Sequence, residues 1–211
     1  MWTPIPRRRR RTLVDVDTQK HFFLDDSPLR VNNHIAVLEN VQRVLAWAQD
    51  RHIHTISTVQ ISSGNSVDLS SFLSGGLTPE KPACTLCHHC ILLEAGDSTD
   101  LPNRMMETYD QLILQKRSFD PFVEPRSDRL FTECQADEFI IIGAPTEGAV
   151  KATTLGLLAR GKSVTVVADA IGSLNARLAR KTLRQMETKG ARLVDASMLL
   201  NAREAVSVGS N

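Results

Sequence analysis

Between residues 84 and 90 the chain reads Cys84-Thr85-Leu86-Cys87-His88-His89-Cys90, three thiols at successive C-x-x-C spacings with two imidazoles among them. Zinc takes tetrahedral sets of thiolate and imidazole, so Cys84, Cys87 and Cys90 with His88 or His89 could form a structural site. Uncoordinated reduced thiols, and redox or iron–sulfur chemistry, are the alternatives the same residues allow. Cys84 to His88 also matches the pattern of c-type haem attachment, but that chemistry needs export and a haem-enclosing fold, which nothing else in the sequence supports. A second set of reactive side chains is scattered: Asp17, Lys116, the segment from Gly143 to Ala149, and Asp169, each at the end of a short apolar run. An acid, a cation and a glycine-led strand-to-helix elbow brought to one edge would suit acid/base or nucleophilic chemistry.

The elements that would position them alternate. Residues 12–17, 54–61, 111–116, 139–143, 163–169 and 192–194 are β-branched or apolar runs that read as strands. Helical spacing joins Ile35, Leu38, Val41, Val44, Leu45 and Ala48; further helices are expected over 147–160, stopped by Gly161, and over 174–189, stopped by Gly190. Residues 62–83, rich in Ser and Gly, read as loop. Strand and helix in alternation imply an α/β fold: an open, mostly parallel, Rossmann-like three-layer sheet covered by helices on both faces. In such sheets the crevice lies beyond the carboxyl ends of the strands, where Asp17, Lys116, residues 143–149 and Asp169 are expected to meet.

Composition narrows the class. The chain has 211 residues, 42% of them hydrophobic and 23% charged, which suits one globular domain. No run approaches the ~20 apolar residues of a membrane helix. The net charge of +1 argues against a protein built around nucleic acid. Five of the 25 basic residues, Arg7 to Arg11, sit together; the other 20 face 24 acids, so the body carries −4. Residues 1–11 read as a basic, disordered leader before a domain over 12–211. They lack the apolar region and cleavage site of a secretory signal, and the expected compartment is the cytoplasm, with thiols rather than disulfides.

Four segments, in this order, resemble the isochorismatase-like cysteine hydrolases, the family that includes nicotinamidases. Asp17-Thr18-Gln19-Lys20-His21-Phe22 resembles the family's Asp-x-Gln-x-x-Phe at a strand end. Gln115-Lys116-Arg117-Ser118-Phe119-Asp120-Pro121-Phe122 is similar to its catalytic-lysine segment with a downstream Phe. Gly143-Ala144-Pro145-Thr146-Glu147-Gly148-Ala149-Val150 is similar to Gly-x-x-Thr-x-x-Cys-Val, and residues 161–170 resemble its Gly-x-x-Val-x-Val-Val-x-Asp-Ala. The resemblance covers residues 12–194. It implies Asp17 as proton acceptor, Lys116 as charge stabiliser, and Ala149 at the place of the nucleophilic cysteine. It also implies substrate contacts from His21, Phe22, Phe122, Pro145 and Thr146, with helix capping as the other reading of Thr146, and self-association into homo-oligomers.

A methyl group cannot attack a carbonyl, so the expectation is a pseudoenzyme or divergent member holding a small-molecule ligand at Asp17 and Lys116. The alternatives are an active hydrolase of small amides with a relocated nucleophile, drawn from the cysteine cluster, and a metal or redox protein using that cluster. A nicotinamidase-type metal is not expected, since Ser57-Thr58-Val59-Gln60 lacks the Asp-x-His that carries it. No nucleotide cofactor, membrane or nucleic-acid partner is expected.

Overall fold

The computed structural model describes residues 9–61 and 81–202. Seven strands form one sheet: β1 (Arg11–Val16), β2 (His54–Gln60), β3 (Cys90–Leu93), β4 (Gln111–Lys116), β5 (Glu138–Gly143), β6 (Val164–Ile171) and β7 (Arg192–Val194). They lie in the order β3-β4-β2-β1-β5-β6-β7, and every pairing is parallel. β4 and β5 are buried at all of their positions, as strands covered on both faces must be.

Side-chain alternation sorts the core into two layers. Val14, Val16, Ile56, Leu112, Leu114, Phe139 and Ile141 meet Leu130 and Phe131 of α3 (Pro125–Glu133), Leu157 of α4 (Lys151–Ala159) and Met186 of α5 (Ala176–Thr188), with Met105 of the short α2 (Met105–Thr108) at the margin. On the other face Leu13, Ile140, Ile142 and Val167 meet Val37, Val41, Val44, Leu45 and Ala48 of α1 (His34–Asp50), and Ala196 and Leu199 of α6 (Ala196–Asn201). The α1 residues recur at three- and four-residue steps, which is the apolar stripe of a helix lying on a sheet.

Several expectations are corrected. Residue 90, read as part of the cysteine cluster and not as a strand, begins β3, an edge strand of four residues too short to show a pattern. The helix expected over 147–160 is a π-type turn, Thr146–Val150, followed by α4. Asp169 lies inside β6, not at its end. Its carboxylate accepts the Ala196 N–H at 2.7 Å and its carbonyl accepts Asn40 Nδ2 at 3.0 Å, so it anchors α6 and α1.

Two residues of the basic run, Arg10 and Arg11, are tied to the domain. Arg11 is the first residue of β1, and Arg10 N–H donates to Asp137 Oδ2 at 2.7 Å. The reason is Glu138, whose buried carboxylate at the start of β5 needs positive neighbours. Arg11 Nε stands 3.0 Å from it, Arg192 Nη2 3.0 Å and Arg9 Nη1 3.8 Å, and the Thr165 hydroxyl donates at 2.6 Å. Arg7 and Arg8 lie outside the described residues.

A second buried charge carries the 81–87 segment. Lys81 Nζ donates to Asp15 Oδ2 at 2.6 Å with both side chains fully buried, and to the Thr18 carbonyl at 3.3 Å. Asp15 also accepts the hydroxyls of Ser57, at 3.0 Å, and Thr18. From Ser57 the network passes to Gln111, whose amide holds the Thr85 carbonyl and the Cys87 N–H.

Two outcomes follow from these carboxylates. Removing one partner of a buried pair strands the other charge, so Lys81→Met lowers stability by about 3–5 kcal/mol in urea unfolding. Burial alone pushes Glu138 up, but the Thr165 hydroxyl and Arg9, Arg11 and Arg192 outweigh it and hold the carboxyl below the ordinary glutamate range. A depressed carboxylate contributes stability above its unfolded pKa and loses it as pH falls through the folded value. Urea midpoints measured from pH 7 downward therefore fall less steeply on the acid side in Glu138→Gln than in the parent chain.

Candidate active site

The backbone at Asp17 builds the site. Strand alternation through Asp17 would send its carboxylate to the Asp15 face. Instead Asp17 adopts a left-handed φ of 47°, a conformation uncommon outside glycine. The turn delivers the carboxylate to the face of Val16, where Thr58 and Lys116 stand on the neighbouring strands. Thr58 Oγ1 donates to Asp17 Oδ1 at 2.6 Å and Lys116 Nζ to Oδ2 at 2.6 Å. Lys116 also donates to the carbonyls of Ser118, at 2.8 Å, and Phe119, at 3.5 Å. Both charged residues are fully buried, so the pair is closed to solvent.

The elbow is locked beside it. Ala144 N–H donates to the Val16 carbonyl at 2.8 Å, and a Cβ on Gly143 would come within 1.9 Å of that same oxygen. Only glycine, at φ 121°, permits the approach. The Ala144–Pro145 peptide is cis. The Thr146 N–H and hydroxyl both donate to the Gly172 carbonyl, at 2.7 and 2.9 Å, so Thr146 ties the elbow to the end of β6 and its side chain does not cap a helix. Pro145 and Ala149 are buried, and Ala149 sits in the core layer of Val14 and Val16.

The nominated substrate contacts divide. His21 stands near Asp17: burial lowers its pKa and the Asp17 charge pulls the other way, with burial the stronger. Phe22, tucked in by a 3₁₀ turn, is 6% exposed and belongs to the core beneath α1. Phe122 is also packing: a Cβ on Gly156 would strike its ring at 2.1 Å, Phe131 lies 5.5 Å away, and the Arg160 guanidinium sits 3.8 Å over it. The aromatic side chain at the elbow is Phe119, 51% exposed, whose ring would lie 3.4 Å from a Cβ on Gly148. Two phenylalanines three residues apart gave the sequence no means of choosing between them.

The cysteine cluster does not gather as a metal site. Among the described residues no three His, Cys, Asp or Glu side chains converge to hold an ion. The segment is a 3₁₀ turn, Ala83–Thr85, that runs out into β3, leaving Cys84 and Cys90 exposed and Cys87 turned inward. Cys87 Sγ accepts Gln49 Nε2 at 3.1 Å, and burial pushes its thiol up, which disfavours the thiolate a metal needs. Cys90 is paired with Gln111 at the start of β4. Lys116 lies five residues along that strand, about 16 Å away at ~3.3 Å per residue. Cys134 Sγ, 3.7 Å from Thr12 Oγ1, is likewise at the amino ends of the strands.

The fold and this edge define an open α/β sheet with its charged pair and elbow at the carboxyl ends of the strands. The isochorismatase domain model matches residues 11–198, and the chain belongs to that family. No curated protein matches the sequence. An isochorismatase family protein from Desulfovibrio vulgaris superposes with a TM-score of 0.68 at 20% identity, over 90% of this chain and 96% of that one. The MAR1 ribonuclease from Caenorhabditis elegans gives 0.64 at 19%, over 92% and 80%. A pyrazinamidase of Pyrococcus horikoshii in complex with zinc gives 0.61 at 19%, over 88% and 99%. At these identities the likeness shows the fold.

The imidazole of His21 reports on the site. Its midpoint, followed by NMR, is expected below 6.5, and Asp17→Asn should lower it further by removing the charge that favours protonation. A midpoint above 6.5, or an upward shift in the variant, contradicts the geometry.

Proposed function

We propose that this chain is an isochorismatase-like protein without the family's cysteine nucleophile, a non-catalytic or divergent member that keeps an Asp/Lys ligand site. The observation that carries the reading is the placement of sulfur. Ala149 stands in the elbow where the resemblance expects the thiol, and three of the four cysteines group around Gln111 and Thr12 at the opposite edge of the sheet, with Cys84 in the same segment as Cys87. Acyl transfer through a thioester needs a sulfur beside the proton acceptor. Here Asp17 has Lys116 and Thr58 as its partners and no thiol to deprotonate.

The ligand is a small molecule with a polar, carbonyl-like group. Lys116 can turn one of its N–H donors toward such an oxygen by releasing the Ser118 or Phe119 carbonyl, and Asp17 can accept an amide N–H. Phe119 stands over the elbow as the side chain an incoming ligand meets. Self-association and a cytoplasmic setting belong to the same proposal. Among the described residues no helix is long and apolar enough to cross a membrane.

The test is amide hydrolysis. Ammonia release from nicotinamide or pyrazinamide is expected at the uncatalysed background, unchanged by iodoacetamide. Turnover that is lost in Asp17→Asn and blocked by alkylation would overturn the reading in favour of a relocated thiol. Turnover retained in Asp17→Asn would place the chemistry elsewhere in the molecule.

A further inference from the structure

The α5 helix carries a feature that neither the core nor the site uses. Arg177, Arg180, Lys181 and Arg184 follow one another at steps of three, one and three, which puts all four within about 100° of the helix circumference. All four are exposed, and none makes an ion pair or side-chain hydrogen bond among the described residues. Thr182, Leu183 and Met186, on the opposite side, hold the helix to the core. The stripe runs over the eight residues from Arg177 to Arg184, about 10.5 Å along the axis.

Within the helix the only acid is Glu187, three residues beyond Arg184, which leaves Arg177, Arg180 and Lys181 without an acid three or four residues away. Like charges three and four residues apart repel. Cations in the first turns also oppose the positive end of the helix dipole, and no acid stands in the first turn. The start of the helix is capped by Asn175 Oδ1, which accepts the N–H groups of Arg177 and Leu178, and the residues before it by Glu147 Oε1, which accepts those of Leu174 and Asn175. A local arrangement that works against its own helix is the kind of conflict that function maintains.

We infer that the α5 stripe is a docking surface for the phosphodiester backbone of single-stranded nucleic acid. Three of the four cations are arginines, whose planar forks match phosphate oxygens. Glu147, which ties down the start of α5, belongs to the same turn as Gly148, against which Phe119 lies with half its surface exposed. A strand laid along the stripe therefore runs toward an aromatic face on which a base can stack. A membrane surface is the poorer fit, because Leu183 and Met186 pack on the core and leave Leu178 as the one large apolar side chain of α5 that is exposed. An acidic peptide would meet the same arginines but would leave unused the Phe119 face, on which a base can stack. The net charge of +1 conceals this surface because carboxylates elsewhere cancel it. The inference shares Phe119 with the ligand site proposed above, and the stripe variants, which leave Phe119 in place, test it separately.

The experiment is fluorescence anisotropy with a 5′-fluorescein 15-nucleotide oligouridylate in 50–200 mM KCl. Four phosphate contacts give a slope of log affinity against log salt of about −3. The triple variant Arg180→Gln, Lys181→Gln, Arg184→Gln, confirmed as folded by circular dichroism, is expected to bind at least tenfold more weakly, with a slope of about −1. Phe119→Ala should weaken binding without changing the slope, and Arg43→Gln on α1 should leave both unchanged. Absence of binding at 50 mM KCl, or binding that the triple variant retains in full, overturns the inference. It is equally overturned if the chain binds phosphatidylserine vesicles and not the oligonucleotide, or if the stripe proves in sedimentation to be a homodimer contact and the oligonucleotide does not bind.

Discussion

Two carboxylates two residues apart on β1 are each buried against a lysine, and the backbone turn at Asp17 is what lets both pairs exist. Asp15 follows the strand and faces Lys81; Asp17, at a φ of 47°, leaves the alternation and faces Lys116. Desolvating four charges this deeply is costly. The cost is met by hydrogen bonds from Thr18, Ser57 and Thr58 and to the carbonyls of Thr18 and Ser118, so that each charge has several partners. The two pairs do different work. The Asp15 pair pins the 81–87 segment over the face that carries α1, whereas the Asp17 pair lies beside the elbow at the carboxyl ends of the strands.

The elbow depends on the same end of β1. Gly143 closes on the Val16 carbonyl, Ala144 bonds to it, and Thr146 reaches across to Gly172, so the turn is held from both β1 and β6. This rigid frame positions whatever side chain stands at residue 149. In the proposed reading that side chain is a methyl group, and the acid, the cation and the shaped turn remain without an attacking atom. Cys87 and Cys90 near Gln111 do not supply one, because β4 itself separates them from Lys116 by its length.

Much of the frame was legible because a sheet covered on both faces demands long apolar runs. β4 over Gln111–Lys116 and β7 over Arg192–Val194 appear with the boundaries their residues suggested. β3 was hidden inside a stretch whose cysteines pointed to metal, and α3 because its Arg, Asp and Glu residues outnumber the buried Ser127, Leu130 and Phe131. Lys81 gave no signal at all: one lysine in a loop-like region cannot announce a buried partner 66 residues away. Asp15, an acid inside a β-branched run, was the available clue that such a partner must exist, since a carboxylate in a covered strand cannot stay unpaired. The C-x-x-C-x-x-C spacing carries a different kind of signal. It states which ligands are near in sequence, and with the chain's turn into β3 no three of them converge among the described residues.

The central claim, that residue 149 faces an otherwise assembled Asp/Lys site and lacks only sulfur, is tested most directly by the pH dependence of alkylation in Ala149→Cys. The account predicts an introduced thiol that reacts with iodoacetamide well below the ordinary thiol pKa of about 8.5, because the helix start and the Lys116 ammonium favour the thiolate. It also predicts that adding Lys116→Met returns the profile toward that ordinary value. A thiol that titrates normally and is indifferent to Lys116→Met would contradict the account, since residue 149 would then stand apart from the pair.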